Sequence, residues 1–197
     1  AVSGLMNLIG ENNGPPLRIG FPSIDLFAAT YAVQGILLAL YAKKEGRGGA
    51  NIDVSLMNAA LSLMTTPFSE YLSEGHLPGR HGNQNPSLSP AGAFKAADGK
   101  YITIAVLRES HWKKFCFAIN RTDLETDSRF ANNTLRLTNR DVLNEILAPI
   151  FLAKTASEWV AKLREADILC APLNHFNEIV EDPDFTSTMP LLDITLP

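Results

Sequence analysis

The sequence predicts an α/β fold class in which long helices precede a small α+β domain. Three observations support this prediction. An uncharged, mostly apolar run covers residues 26–42, a length typical of one long helix. A second segment, rich in Ala, Leu and Met, begins at Met57. Beyond residue 75 the composition changes to short alternating and amphipathic segments, and Ala97-Asp98-Gly99 marks a hairpin between two of them.

The composition narrows the class of protein. The chain has 197 residues, 46% of them hydrophobic, which is enough for one sizeable domain or a smaller domain with an extension. Its formal net charge is −4 and its basic residues are scattered, so we expect no nucleic-acid partner. The two cysteines, Cys116 and Cys170, match no metal or redox spacing. We expect buried free thiols, no metal site, and a reducing, cytoplasmic location.

The first 22 residues are predicted to be the end of a helix, residues 1–9, and a turn-rich connector, residues 10–22. The chain begins Ala-Val-Ser-Gly-Leu-Met, without an initiator Met and inside an apparent helix. We therefore expect a natural fragment, an artificially shortened chain or the product of a gene of unusual origin.

Asp25 directly precedes the long apolar helix, where an N-cap is expected. Gly46 is predicted to end that helix, with Lys43 and Lys44 complementing the negative end of its dipole. A membrane-spanning helix needs about 20 apolar residues. The run is at the short limit and contains Thr30 and other polar or small residues. We therefore predict a buried core helix and no membrane partner.

Residues 51–90 are predicted to form a strand, a helix and a loop in turn. Residues 51–56 alternate polar and apolar side chains and predict a strand, and residues 57–72 predict a second helix. Glycines and prolines then punctuate residues 75–90, which predicts a long loop. The predicted organisation is a large-domain part over residues 1–74, a linker and loop over 75–90, a small α+β domain over 91–180, and a returning linker over 181–197.

The small domain is predicted from local signals. Residues 91–97 and 100–106 form the strands of the hairpin, and residues 168–173 form a third strand. Helices are predicted over residues 109–119, 139–152 and 155–166, and a brief helical turn over 178–182. Pro149 should kink or end the second of these helices, whereas Thr155 and Glu158 form a capping box that opens the third.

The chemical candidate is Asp25. The apolar sequence on its C-terminal side should partly desolvate the carboxylate, while the positive end of the helix dipole keeps it ionised. Such a group can serve as a nucleophile or as a general base. The same position is equally that of an ordinary N-cap. The residues alone leave these alternatives open.

An ordered set of motifs resembles the class III CoA-transferase family, also called the CaiB/BaiF family. The set consists of Gly14-Pro15-Pro16, Arg18, Gly20, Asp25, Gly46-Arg47-Gly48 and Asp53-Val54-Ser55-Leu56. Further matches in the family's order are Gly82-Asn83, Pro86, Pro90, Phe94 and Ala97-Asp98-Gly99. The resemblance implies part of the class III fold, since full members are longer.

The resemblance also implies an activity, which is transfer of coenzyme A between an acyl-CoA and a carboxylic acid. Asp25 would be the nucleophile that forms a mixed anhydride and then an aspartyl-CoA thioester. Gly82, Asn83, Gln84 and Asn85 would form a mobile loop that covers the site and binds CoA through backbone N–H groups. No permanently bound cofactor is implied, because CoA and acyl-CoA are substrates. An interlocked homodimer is expected.

Two alternatives stay open. Related family members are racemases of 2-methylacyl-CoA type, which tend to carry a glutamate after the second small-domain strand. Here Arg108 is nearest to that position and Glu109 follows it, which favours transfer. The other alternative is a non-catalytic fragment that acts as a dimerisation or binding module.

Overall fold

The structure of the chain is a computed structural model that describes residues 1–189. The chain divides into two compact units, residues 1–83 and residues 84–197. Their boundary falls inside the segment 75–90 that the sequence assigns to a linker and loop. The mixed class of long helices and a small α+β unit is confirmed.

The first unit is helical. A 3₁₀ turn at Leu5–Leu8 stands where the sequence predicts the end of a longer helix. Helices α1 (Ser23–Lys44), α2 (Leu56–Leu63) and α3 (Thr65–Glu74) follow. Helix α1 ends as predicted, because Gly46 adopts a positive φ of 76°. The N–H groups of Gly46 and Arg47 donate to the carbonyls of Lys43 and Ala42, at 3.1 and 2.9 Å, which satisfies the last turn.

The prediction that α1 is a buried core helix is wrong for the described residues. Ala28 is the one residue of α1 that is buried, and Leu38 is 70% exposed. The helix is apolar on most of its circumference, but α2 is the main described element packed along it. By length and composition α1 meets the criterion for a membrane-spanning helix, a criterion that core helices of soluble proteins also meet.

The strand predicted over residues 51–56 is not formed. A strand needs a neighbour to complete its backbone hydrogen bonds, and the described part of the first unit offers none. The segment instead packs on α1, where a Cβ at Gly35 would lie 2.9 Å from Cγ2 of Ile52. Ser55, the residue before the last of this segment, caps α2 by accepting a hydrogen bond of 3.1 Å from the Asn58 N–H.

The single helix predicted over residues 57–72 is two helices, which meet at Met64. Pro67 accounts for the break. It has no N–H to donate to the carbonyl of Leu63, and its ring would clash with that carbonyl in a continuous helix. The chain therefore restarts as α3, with Pro67 in the first turn, where the missing N–H costs nothing.

The second unit contains a three-stranded antiparallel sheet of order β1-β2-β3. The strands are β1 (Ala91–Lys95), β2 (Tyr101–Ala105) and β3 (Leu169–Pro172), and all three are confirmed predictions. The hairpin aligns Ala93 with Thr103. Its turn depends on Gly99, which has a φ of 80° and donates its N–H to the Ala96 carbonyl at 3.1 Å.

The described part of the unit also contains seven helices: α4 (Glu109–Ala118), α5 (Asp123–Thr126), α6 (Asn133–Thr138), α7 (Arg140–Phe151), α8 (Ala156–Glu165), α9 (Phe176–Glu181) and α10 (Pro183–Thr188). Helices α4, α7, α8 and α9 were predicted, and the Thr155–Glu158 capping box is confirmed. Pro149 lies within the last turn of α7, close to where the helix ends. Residues 190–197 of the predicted returning linker lie outside the described residues.

The core of the second unit lies between the sheet and α4, α7 and α8. One face of α4, which carries Trp112, Phe115 and Cys116, is buried in this core. The rings of Phe94 and Phe151 stack at 4.7 Å, so the sheet and α7 are joined through aromatic contacts. This unit therefore has its own hydrophobic core.

Both cysteines are buried free thiols, as predicted. Burial raises the pKa of Cys116 to about 12, and burial likewise raises the pKa of Cys170. Since the thiolate is the reactive form, we expect neither cysteine to react with a disulfide reagent in the folded protein at pH 8. Absorbance of the released thiol should show both reacting after denaturation. Rapid reaction of either one before unfolding would contradict the burial.

Candidate active site

Asp25 lies in the first turn of α1, as its third residue. The N-cap interpretation is therefore wrong, because the helix begins three residues earlier than predicted, with Pro22 at the N-cap position. The side chain is also exposed, so the expected desolvation by the apolar helix is not found in the described chain. Its carboxylate still stands at the positive end of a 22-residue helix, where a negative charge interacts favourably with the helix dipole.

The Asp25 cavity, as we name the concave surface beside this residue, has a volume of about 200 Å³. Three parts of the first unit line it: the N-terminal 3₁₀ turn, the connector, and the start of α1. Arg18 also lines this cavity. The lining residues are Ala1, Leu5, Met6, Ile9, Arg18, Ile19, Phe21, Pro22, Ser23, Ile24 and Asp25.

The connector that carries Arg18 is folded back on itself. The Leu17 N–H donates to the Ile9 carbonyl at 2.9 Å, which brings both ends of the connector to the cavity. Gly10 is required in this fold, because it has a φ of 130° and a Cβ there would lie 2.6 Å from the carbonyl oxygen of Pro15. The sequence places this glycine in a turn but does not indicate the close approach.

The first residue of the predicted CoA-binding loop, Gly82, is tied to the same connector. Its N–H donates to the Gly10 carbonyl at 2.9 Å. A Cβ at Gly82 would lie 2.4 Å from Oε2 of Glu11, and the φ of 54° is itself unfavourable for larger residues. Glycine is therefore needed here for packing within the first unit.

The last residue of the loop, Asn85, is held within the second unit. Its N–H donates to the Ala91 carbonyl at 2.9 Å, and its Oδ1 accepts from the N–H groups of Ser87 and Leu88. Two of the four backbone N–H groups that the resemblance assigns to CoA, those of Gly82 and Asn85, are thus already engaged within the chain. Binding through Asn83 and Gln84 stays a prediction.

Glu109 is engaged in a structural contact. Its two carboxylate oxygens accept hydrogen bonds of 2.9 and 3.0 Å from the guanidinium of Arg136, and Oε1 also accepts from the Asn133 N–H. The hydrogen bonds from Arg136 hold the pKa of the Glu109 carboxyl below its ordinary value. A carboxylate paired in this way is a poor base for removing a proton from an α-carbon.

Arg136 is the residue that sequence reasoning missed. It is 1% exposed, although it stands between Leu135 and Leu137 in a short helix and carries no motif. No local signal identifies it, because its acceptors lie elsewhere in the chain.

Among residues 1–189, no group of three or more His, Cys, Asp or Glu side chains is placed to hold a metal ion.

The comparison with protein families gives one match. The model of CoA-transferase family III matches residues 1–196. Among solved structures, a CaiB/BaiF family protein from Brucella suis is similar to this chain with a TM-score of 0.82 and 28% identity, covering 94% of this chain and 49% of that one.

The curated relatives of this chain are also named as transferases of CoA or acyl-CoA. A succinyl-CoA:mesaconate CoA-transferase of Haloarcula hispanica is 32% identical over 197 residues, which are 100% of this chain and 49% of that protein. An acyl-CoA transferase of Fusarium pseudograminearum is 32% identical over 196 residues, or 100% of this chain and 43% of that protein. The chain spans about half the length of the curated relatives it matches.

Proposed function

The chain belongs to CoA-transferase family III, and on this premise we propose that it carries the nucleophile of an enzyme that transfers coenzyme A between an acyl-CoA and a carboxylic acid. The observation that carries the proposal is the position of Asp25. Asp25, exposed in the N-terminal turn of a long helix, lines a cavity together with Arg18. The acceptor acid is an anion, and the donor thioester gains negative charge when Asp25 attacks it. The positive charge of Arg18 would reduce the repulsion between these groups and Asp25.

The reaction would run through Asp25 in four steps. Asp25 attacks the donor thioester carbonyl, the carbon–sulfur bond breaks, and a mixed anhydride and CoA thiolate result. The thiolate then attacks the Asp25 carbonyl, releases the donor acid and leaves an aspartyl-CoA thioester. The acceptor carboxylate attacks that thioester, which gives a second anhydride and thiolate. The thiolate finally attacks the acceptor carbonyl and frees Asp25. Covalent catalysis divides one difficult exchange into easier steps.

We take succinyl-CoA as the test donor, because the Haloarcula hispanica relative is named for it. The natural polypeptide that contains residues 1–197 is incubated with succinyl-CoA and then with hydroxylamine. Hydroxylamine converts an aspartyl thioester or anhydride into a hydroxamate, which peptide mass spectrometry locates. We expect the hydroxamate at Asp25 only when acyl-CoA is present. A protein that exchanges CoA between acids without any modification at Asp25 would overturn the proposal.

The same material distinguishes the alternatives. Deuterium incorporation at the α-carbon of a branched acyl-CoA, without movement of CoA between acids, would show a racemase. The engagement of Glu109 by Arg136 argues against this outcome. Absence of both reactions would leave the binding module as the explanation. In that case, calorimetry would measure whether the protein binds CoA without turning it over.

A further inference from the structure

A row of polar side chains on α6 and α7 contacts the segment that begins with the last residue of the predicted CoA-binding loop. The row consists of Asn133, Arg136 and Arg140, and the segment is residues 85–90. All of these residues belong to the second unit. We call the row the loop clamp. Its contacts are directed at backbone groups of the segment and do not depend on which side chains the segment carries.

Asn133 makes the first pair of contacts. Its Nδ2 donates to the Ser87 carbonyl at 2.9 Å, and its Oδ1 accepts from the Ser89 N–H at 3.1 Å. A side-chain amide used in both directions fixes the position and the orientation of the backbone that it contacts. Ser89 is 1% exposed, so the second of these contacts lies at a buried residue, whereas the contact with Ser87 is exposed.

The two arginines complete the clamp. Nε of Arg136 donates to the Ser89 carbonyl at 2.7 Å. Nη2 of Arg140 donates to two carbonyls, those of Asn85 and Leu88. Hydrogen bonds from a charged donor are stronger than those between neutral groups. The chain is thus held from Asn85 to Ser89. In addition, Oδ1 of Asn85 closes a local turn by accepting hydrogen bonds from the N–H groups of Ser87 and Leu88.

The upstream end of the loop is held separately, since the Gly82 N–H donates to Gly10 within the first unit. Between these two anchors stand only Asn83 and Gln84, and the boundary between the units falls between them. Apart from the turn over Gly82 and Asn83, neither of their N–H groups donates a hydrogen bond among residues 1–189. These two residues are therefore the part of the loop whose backbone no other element of the described chain holds.

We propose that Arg140 and Asn133 are positioning residues that hold the downstream end of the loop, so that adaptation to bound acyl-CoA is confined to Asn83 and Gln84. The proposal rests on the proposed function for its catalytic consequence, but the clamp itself can be tested without catalysis. Without the clamp, residues 85–89 would sample several positions, and each encounter with substrate would have to order them again.

The first test is hydrogen exchange in the natural polypeptide, followed by mass spectrometry of the peptide that contains residues 85–90. In Arg140→Met the carbonyls of Asn85 and Leu88 lose their charged donor, and exchange there should rise about tenfold. Exchange in β2, at Ile102 and Ile104, should not change. Arg140→Lys should restore protection, because one ammonium can donate to both carbonyls. Arg121→Met removes a guanidinium that pairs with Asp123 instead, and is the matched control.

The second test is kinetic. We expect Arg140→Met to lower kcat/KM for acyl-CoA about tenfold, and Arg140→Lys to recover most of it. Asn133→Asp keeps the acceptor for Ser89 but loses the donor to Ser87, and should raise exchange at the same peptide. A uniform rise in exchange across the second unit, or unchanged exchange at residues 85–90, would overturn the proposal. If no variant forms the Asp25 hydroxamate, the proposed function fails while the exchange result still decides the clamp.

Discussion

Replacing Asp25 by Asn should lower kcat for CoA transfer by at least about a thousandfold, because a carboxamide cannot form the anhydride or the aspartyl thioester. The fold should survive the change. Asp25 is exposed in the first turn of α1, and loss of its charge removes only a favourable interaction with the helix dipole, about 0.3–1 kcal/mol at such a site. Activity and stability should thus respond very differently to one substitution.

The measurement is the steady-state rate of CoA exchange between succinyl-CoA and an acceptor acid in the natural polypeptide. Glu45→Gln removes one carboxylate at the opposite end of the same helix and should keep full activity. Asp25→Glu keeps the carboxylate but displaces it by one methylene, and an intermediate loss of about a hundredfold is expected. Full activity in Asp25→Asn would exclude Asp25 as the nucleophile.

Replacing Arg136 by Met should destabilise the second unit by about 3–5 kcal/mol. Met fills much of the volume and keeps an apolar contact with the Trp112 ring, which lies 4.8 Å from the guanidinium carbon. It cannot donate to the carbonyls of Ser89 and Phe130 or to the carboxylate of Glu109. The two buried carbonyls would be left without a partner, which is where most of the cost arises.

Urea unfolding followed by tryptophan fluorescence measures this loss, because both tryptophans, Trp112 and Trp159, lie in the core of the second unit. Arg121→Met, which breaks an exposed pair with Asp123, should cost only about 0–1 kcal/mol. Arg136→Met combined with Glu109→Gln should cost less than the sum of the two single changes. A loss under 1 kcal/mol in Arg136→Met would show that the buried contacts are replaced by water.

The elements that the sequence predicts well are those whose signals are local. Gly46 ends α1 through contacts within one turn, and Gly99 closes the hairpin between adjacent strands. The capping box of α8 joins residues only three positions apart. In each case the residue and its partner are close in the chain, so the pattern is visible in the printed sequence. The family resemblance likewise depends on ordered local motifs, and the family match confirms it.

The predictions that failed concern partners that the sequence does not display. Residues 51–56 alternate like a strand, but a strand also needs a neighbour, and the segment packs on Gly35 of α1 instead. The apolar run of α1 suggests burial, but burial depends on what surrounds the helix, and in the described residues it is largely exposed. Periodicity describes one element and contains no information about the surface opposite to it.

The sequence by itself determined the family, the three strands of the small sheet, helices α1, α4, α7, α8 and α9, and Asp25 as the residue to test. Only the tertiary structure decided that Asp25 is an exposed first-turn residue, that Glu109 is held by Arg136, and that Arg140 holds the loop from 52 and 55 positions away. The physical reason is the same for all three. Solvation and hydrogen bonding are set by distance in space, and a buried arginine acquires its role from acceptors that folding brings to it.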